Sequence, residues 1–153
     1  MANKILWAAE SAATLLSTEL NNVADGSTTV DSADYDNATN KFRYADFLFS
    51  GIFDSDCDAG AYAELHIFYK LDGSVYGDGE DGDAASPVAS GNSLVGVFAI
   101  GADGATTPVY QQITGVRLSP FAFRAALKLV TGQDLTAADT HYVKMYPYNE
   151  EVQ

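Results

Sequence analysis

The chain is poor in positive charge and in cysteine. Its 153 residues hold 8 Lys and Arg against 21 Asp and Glu, which gives a net charge of −13. Phosphate binding needs clustered cations, and the basic residues here are scattered singly. We therefore expect neither nucleic acid nor an anionic membrane as a partner. Cys57 is the single cysteine and cannot form an internal disulfide, so oxidative folding is not implied.

Long apolar runs and catalytic motifs are missing as well. No window approaches the roughly 18 apolar residues of a membrane span. Glu10 interrupts the only stretch that could form a signal peptide. The sequence therefore predicts a protein that stays in the cytoplasm unless it leaves as part of something larger. Because no nucleophile, phosphate-loop or dinucleotide motif is present, we expect no enzyme and no cofactor.

What is present is the pattern of an all-β domain. The hydrophobic fraction is 47%, with 8 Phe and 9 Tyr, which is enough for a core without disulfide or metal. Turn signals separate short apolar or alternating runs, and hardly any helix is indicated. This pattern predicts an antiparallel β-sandwich, or a jelly-roll-like fold, of about eight strands. The predicted strands cover residues 28–30, 44–53, 61–70, 94–100, 109–118, 121–130 and 141–148.

The alternation also predicts which side chains are buried. We expect residues 94–100, apolar except for Gly96, to be covered on both faces. Residues 1–22 are predicted to form an N-terminal arm, ahead of a sandwich domain at 23–153. The expected core positions are Phe47, Phe49, Leu65, Ile67, Phe123 and Leu127.

Two acidic segments raise the question of metal. Residues 54–60, with Glu64 beyond them, present alternate carboxylates as a calcium loop does. However, Gly60 falls one position late for an EF-hand and no helices flank the loop, so a solvated turn is the preferred interpretation. A second acidic segment at 77–91 is predicted to be a flexible loop. The chain has three residues that commonly bind zinc, Cys57, His66 and His141, but their spacing matches no recognised zinc site. We therefore expect no metal. Both histidines are predicted to occupy partly exposed positions in the sheets.

The last strand has a tyrosine face that suits an interface. A tyrosine ring is apolar and its hydroxyl is polar, so such a face can bind a partner, although a second-face core is an equal alternative. The apolar residues of the arm should also dock on a neighbouring surface. The candidate interface residues are Ile5, Leu6, Trp7, Leu15, Leu16, Tyr142, Tyr146 and Tyr148.

Several stretches resemble small virion proteins of tailed bacteriophages. They are residues 3–9 (NKILWAA), 16–21 (LSTELN), 44–46 (YAD), 63–69 (AELHIFY) and 146–151 (YPYNEE). The resemblance implies a sandwich that acts as a capsid decoration, or cement, protein on the outside of the virion and is assembled in the host cytoplasm. It further implies the major capsid protein as partner and self-association, with a homotrimer expected. A capsid exterior also tolerates the charge of −13.

A second function remains open for the same fold. A tail-associated adhesin or carbohydrate-binding module uses the same kind of sandwich, and fold alone does not choose between the two. An exposed aromatic platform beside calcium or amide groups would favour carbohydrate, and the loop at 54–64 is the discriminating feature. An enzyme, such as a glycosidase fragment, ranks third.

Overall fold

A computed structural model describes residues 5–30, 33–72, 76, 92–102, 104–137 and 140–152, with the backbone alone at 5, 6, 30, 151 and 152. A short 3-10 helix covers Thr18–Leu20 and a single helical turn, α1, covers Asn37–Asn40. The predicted flexible loop at 77–91 lies outside the described residues. The strands are β1 Ile5–Ala9, β2 Ala13–Leu16, β3 Thr28–Val30, β4 Tyr44–Gly51, β5 Tyr62–Tyr69, β6 Leu94–Ala99, β7 Val109–Arg117, β8 Phe123–Val130 and β9 Tyr142–Val152.

The strands form two antiparallel sheets. The first sheet has the order β1-β9-β4-β7, with β2 also paired to β9, and the second has the order β3-β8-β5-β6. The predicted antiparallel sandwich is confirmed, with nine strands in the described residues instead of about eight. The predicted strand at 28–30 lies at a sheet edge. No helix in this part of the chain is long and apolar enough to cross a membrane.

The core lies between the sheets, where the alternation placed it. All six predicted core residues are at most 3% exposed, so that prediction is confirmed. The rings of Phe49 in β4 and Phe98 in β6 meet across the interface between the sheets, with centroids 5.6 Å apart. Side chains of the opposite phase of β4 and β9 therefore face outward on the first sheet.

The segment predicted as an arm belongs to the sandwich. β1 pairs with the last part of β9, and β2 pairs with an earlier part of the same strand. The register shifts between Thr14 and Leu16, so both Leu15 and Leu16 turn into the core, where they are 4% and 0% exposed. This corrects the expectation that these leucines form an exposed interface.

Two further expectations about burial are wrong. His66 and His141 are each only 2% exposed. Hydrogen bonds compensate this burial: at His141, Nδ1 accepts from the Ile52 N–H at 3.3 Å and Nε2 lies 2.9 Å from the Thr136 carbonyl oxygen. Conversely, β6 is not covered on both faces, since Val97 is 46% exposed. Among the described strands, β6 lies at the edge of the second sheet and pairs with β5.

Candidate functional site

The outer face of the first sheet carries a row of aromatic and polar side chains. β4 and β9 pair directly along this face, and β7 extends it, with Tyr110 opposite Ser50. The outward cross-strand pairs are Tyr44–Tyr148, Asp46–Tyr146, Leu48–Lys144 and Ser50–Tyr142. We call this surface the aromatic face and define it by Trp7, Tyr44, Asp46, Tyr110, Tyr142, Tyr146 and Tyr148.

Three rings meet at one end of the aromatic face. The rings of Tyr44 and Tyr148 lie nearly parallel, with centroids 5.7 Å apart and an angle of 17°. Trp7 stands edge-on to both, at 5.9 Å from Tyr44 and 5.3 Å from Tyr148. Trp7 is nevertheless 60% exposed. The rings therefore form a corner in which a broad indole surface remains open to solvent.

A carboxylate lies beside this aromatic corner. Asp46, Trp7, Ala9 and Tyr148 line a cavity of ≈ 260 Å³. Oδ1 of Asp46 accepts from the backbone N–H of Gly115 at 2.7 Å and from the Tyr148 hydroxyl at 3.4 Å. Both of these bonds use Oδ1, which leaves Oδ2 as an acceptor for a ligand hydroxyl.

A β-bulge positions Asp46. Two residues of β7, ending in Gly115, stand opposite Asp46 alone, because the register shifts between Ala45 and Phe47. Gly115 has φ 71°, a backbone conformation that favours glycine. Its N–H is thereby directed at the carboxylate, which holds Asp46 in place on the aromatic face.

Tyr148 remains a hydrogen-bond donor at ordinary pH. Burial, followed by the charge of Asp46, raises the pKa of Tyr148 above its usual value of 10.0. The phenol is therefore protonated and its hydroxyl directed at the carboxylate. The corner thus combines apolar ring surface, a fixed hydroxyl and a carboxylate oxygen.

The acidic loop at residues 54–60 lies away from the aromatic corner. The described residues do not assemble into a metal site. No group of three or more His, Cys, Asp or Glu in the described ranges is arranged to hold an ion. Glu64 is in β5, with Oε2 3.5 Å from Lys128 Nζ. The loop is tied to its neighbour instead: the Asp58 N–H donates to the Thr131 carbonyl at 2.9 Å.

Asp25 lies on the other side of the same 131–132 turn and binds it through charge-assisted hydrogen bonds. Its Oδ1 accepts from the N–H of Thr131 at 2.7 Å, the N–H of Gly132 at 3.0 Å and the Thr131 hydroxyl at 3.2 Å. The bond from the Thr131 N–H is the main reason why the pKa of Asp25 lies below its usual value. Asp25 therefore stabilises the fold in its ionised form.

We expect Asp25→Asn to lower the melting temperature at pH 7 and to matter less in acid. A carboxyl whose folded pKa is depressed stabilises the protein above its unfolded pKa, about 3.9, and this stabilisation is lost as pH falls through the folded pKa. Thermal melts at neutral and acidic pH check this. The difference between wild type and variant should shrink below about pH 4. A difference that is constant with pH, or equally large for the exposed Asp54→Asn control, would contradict it.

The structure also brings together a serine, a histidine and an acid that no sequence motif indicated. His66 Nδ1 lies 3.0 Å from Ser93 Oγ, and its Nε2 lies 3.3 Å from Glu64 Oε2. In catalytic triads the serine faces Nε2 and the acid faces Nδ1, the reverse of this order. Ser93 is only 4% exposed. We therefore assign these contacts to support of the second sheet.

The structure places the predicted interface residues in different parts of the fold. Trp7 and Tyr148 come together, and Tyr142 and Tyr146 lie further along the same face. Leu15 and Leu16 are in the core, while the side chains at positions 5 and 6 lie outside the described part. Tyr44 and Asp46 were not among the predicted interface residues. The alternation in β4 places Tyr44 and Asp46 on the face opposite to Phe47 and Phe49. That face could be recognised as part of a site only once β4 was known to pair with β9.

Comparison with known proteins gives remote structural likenesses. No family model and no curated protein sequence matches this chain. Among solved structures, one match is the CBM36-1 domain of a multidomain xylanase from the hindgut metagenome of Trinervitermes trinervoides, at 15% identity and TM-score 0.40, over 99% of this chain and 97% of that one. A CBM36 carbohydrate-binding module in complex with calcium and xylotriose matches at 12% identity and TM-score 0.39, over 100% of both chains.

A third match has a different description. It is the Drosophila NLP core, described for pentamer formation and histone binding, at 10% identity and TM-score 0.29, over 98% of both chains. These three structures give no support to the resemblance with virion proteins. With TM-scores below 0.5, these likenesses indicate nothing about function.

Proposed function

We propose that this protein is a non-catalytic carbohydrate-binding module and that the aromatic face binds the glycan. The observation that carries the proposal is the corner formed by Trp7, Tyr44 and Tyr148 beside Asp46. A sugar ring has apolar C–H faces and hydroxyls at its edge. An open ring surface next to a fixed carboxylate and a phenol matches both parts of such a ligand.

The exposure of Trp7 supports a ligand at this place. A tryptophan that is 60% exposed and grouped with two other rings forms the kind of apolar surface that usually marks a binding site. The rings hold one another through edge-on contacts, so the surface is formed before a ligand arrives. A preformed surface loses little conformational entropy on binding.

Charge indicates a neutral glycan. The chain carries −13, and Asp46 adds a carboxylate within the site itself. Sulfated or uronic-acid glycans would meet repulsion both at long range and at this carboxylate. Neutral glycans, whose hydroxyls donate to carboxylate oxygens, have no such penalty.

Capsid decoration stays a prediction from the resemblance, together with the capsid partner, the homotrimer and the location on the virion. No observation on the described residues favours it over glycan binding. A protein partner on the aromatic face is the alternative outcome of the polysaccharide experiment.

The direct test is retention on polysaccharides. Purified protein is run in native gels containing xylan, glucan, mannan or, as the anionic control, alginate. We expect retardation by at least one neutral polysaccharide, little dependence on salt, and none by alginate. Free migration in every neutral gel, combined with binding to undecorated phage capsids, would contradict the proposal and favour the decoration role.

A further inference from the structure

A second concave site lies where β7 begins, apart from the aromatic corner. It is a cavity of ≈ 360 Å³ between the loop at 104–108, the acidic loop and the first residues of β7. We call it the end pocket and define it by the residues that could bind a ligand, which are Asp56, Thr106, Thr107, Tyr110 and Gln111.

The wall of the end pocket is held rigidly. The N–H of Phe53 donates to the carbonyl oxygen of Gly104 at 2.9 Å. A Cβ atom on Gly104 would lie 2.7 Å from Cδ2 of the buried Phe53, and the residue has φ 136°, so only glycine fits there. Since the loop is anchored to the core at this residue, the pocket is formed before a ligand binds.

Thr106 is strained at the pocket. Its φ of 80° is unusual for a residue with a branched Cβ. Glycine would adopt the same backbone without strain but would place no hydroxyl at the cavity. Thr106 lines the cavity and is exposed, which makes its hydroxyl available to a ligand. Strained residues of this kind cluster at binding sites.

The lining has the chemistry of a site for one sugar unit. Hydroxyls, the Gln111 amide and the Asp56 carboxylate supply both donors and acceptors, and Tyr110 adds a ring that is 59% exposed. The volume is at the lower end of small-molecule sites, which span about 300–1,000 Å³. A single unit at the end of a chain fits such a cavity better than the middle of a polymer does.

Tyr110 belongs to both the end pocket and the aromatic face, although the side chain of Ser50 beside it is only 2% exposed. Tyr110 pairs with Ser50, and Ser50 pairs in turn with Tyr142. The Tyr44–Tyr148 pair lies six residues further along β4, which corresponds to about 20 Å of strand. A short oligosaccharide spans that distance.

We propose that the end pocket binds the terminal unit of a neutral oligosaccharide whose following units lie along the aromatic face. This inference rests on the proposed function and deepens it, because it specifies that the protein recognises the end of a glycan chain. A protein of this kind prefers oligosaccharides, which are rich in ends, over the intact polymer at equal mass.

The test uses variants that remove a hydroxyl (Thr107→Val) or a negative charge (Asp56→Asn) with little change in shape. Thr107→Val and Asp56→Asn are compared with wild type by calorimetric titration with xylo-, cello- and manno-oligosaccharides, each as a length series down to the monosaccharide. Thr18→Val, an exposed threonine outside both sites, is the matched control. Thr106→Gly tests the strained residue, and melting temperatures confirm that each variant is folded.

We expect Thr107→Val and Asp56→Asn each to weaken oligosaccharide binding about tenfold, as loss of one good hydrogen bond does. Both should reduce the preference for short chains over polymer, while Thr18→Val binds as wild type. Thr106→Gly should melt about 2–4 °C higher and bind more weakly. If the wild type binds but all pocket variants match it, the end pocket is not used and the aromatic-face proposal survives. If the wild type binds no neutral glycan, both proposals fail.

Discussion

Replacing Phe123 with alanine should lower the free energy of unfolding by about 3–5 kcal/mol, the usual cost of truncating a fully buried phenylalanine. Phe123 is 0% exposed at the start of β8. Its ring contacts Tyr35 at 5.2 Å and Tyr69 at 5.7 Å between centroids. The backbones of Tyr35 and Phe123 exchange two hydrogen bonds, at 2.8 and 3.1 Å. Because these bonds hold the two residues in place, the cavity left by the missing Phe123 ring cannot close easily.

Phe121 offers a matched control two residues earlier in the chain. The sequence alternation placed it in the same apolar phase, but it lies before β8 begins and is 38% exposed. Phe121→Ala should therefore cost less than about 1 kcal/mol. Urea unfolding of both variants measures the difference. Equal and small effects would show that Phe123 does not fill the core.

Replacing Trp7 with alanine should weaken glycan binding about thirtyfold or more. Tryptophans at the centre of binding surfaces typically contribute about 2 kcal/mol or more to the binding free energy. The fold should tolerate the change, because the residue lies on the edge strand β1 and is mostly exposed. Calorimetric titration with the best-retained oligosaccharide gives the affinity, and a thermal melt checks the fold.

The control for Trp7 lies on the other sheet. Tyr62 is a half-buried aromatic residue of β5, on the outer face of the second sheet, outside the aromatic face and the end pocket. Tyr62→Ala should bind glycan as wild type does. If Trp7→Ala kept its affinity, or if both variants lost affinity to the same extent, the glycan would not bind at the aromatic corner.

Local alternation predicted the interior of this protein well. The inward phase of β4, β5 and β8 was readable because a strand with one buried face repeats every two residues. Leu15 and Leu16 were assigned to an interface because they are apolar residues of the predicted arm, and that assignment failed because a register shift turns both of them inward. The expectation that residues 94–100 are covered on both faces rested on their apolar composition, and it failed at Val97, which is 46% exposed in the edge strand β6.

The candidate site was predictable only in part. Tyr142, Tyr146 and Tyr148 share one face by spacing alone, so the sequence indicated half of the surface. The other half depends on pairing between distant segments: β9 brings Tyr148 next to Trp7 of β1 and Tyr44 of β4. Register between strands so far apart is set by the packed sheet and is not visible in either strand alone. The position of Asp46 depends in addition on the β-bulge at Gly115, which cannot be predicted from β4 alone.

A glycan in the aromatic corner covers Trp7, the single tryptophan of the chain, so tryptophan fluorescence reports whether this site is occupied. Trp7 emission is recorded during titration with the neutral oligosaccharide that binds best, with the binding isotherm measured separately by calorimetry. We predict a saturable blue shift whose midpoint equals the calorimetric dissociation constant, because the sugar replaces water on the indole. Binding that saturates by calorimetry while Trp7 emission stays constant would contradict the account.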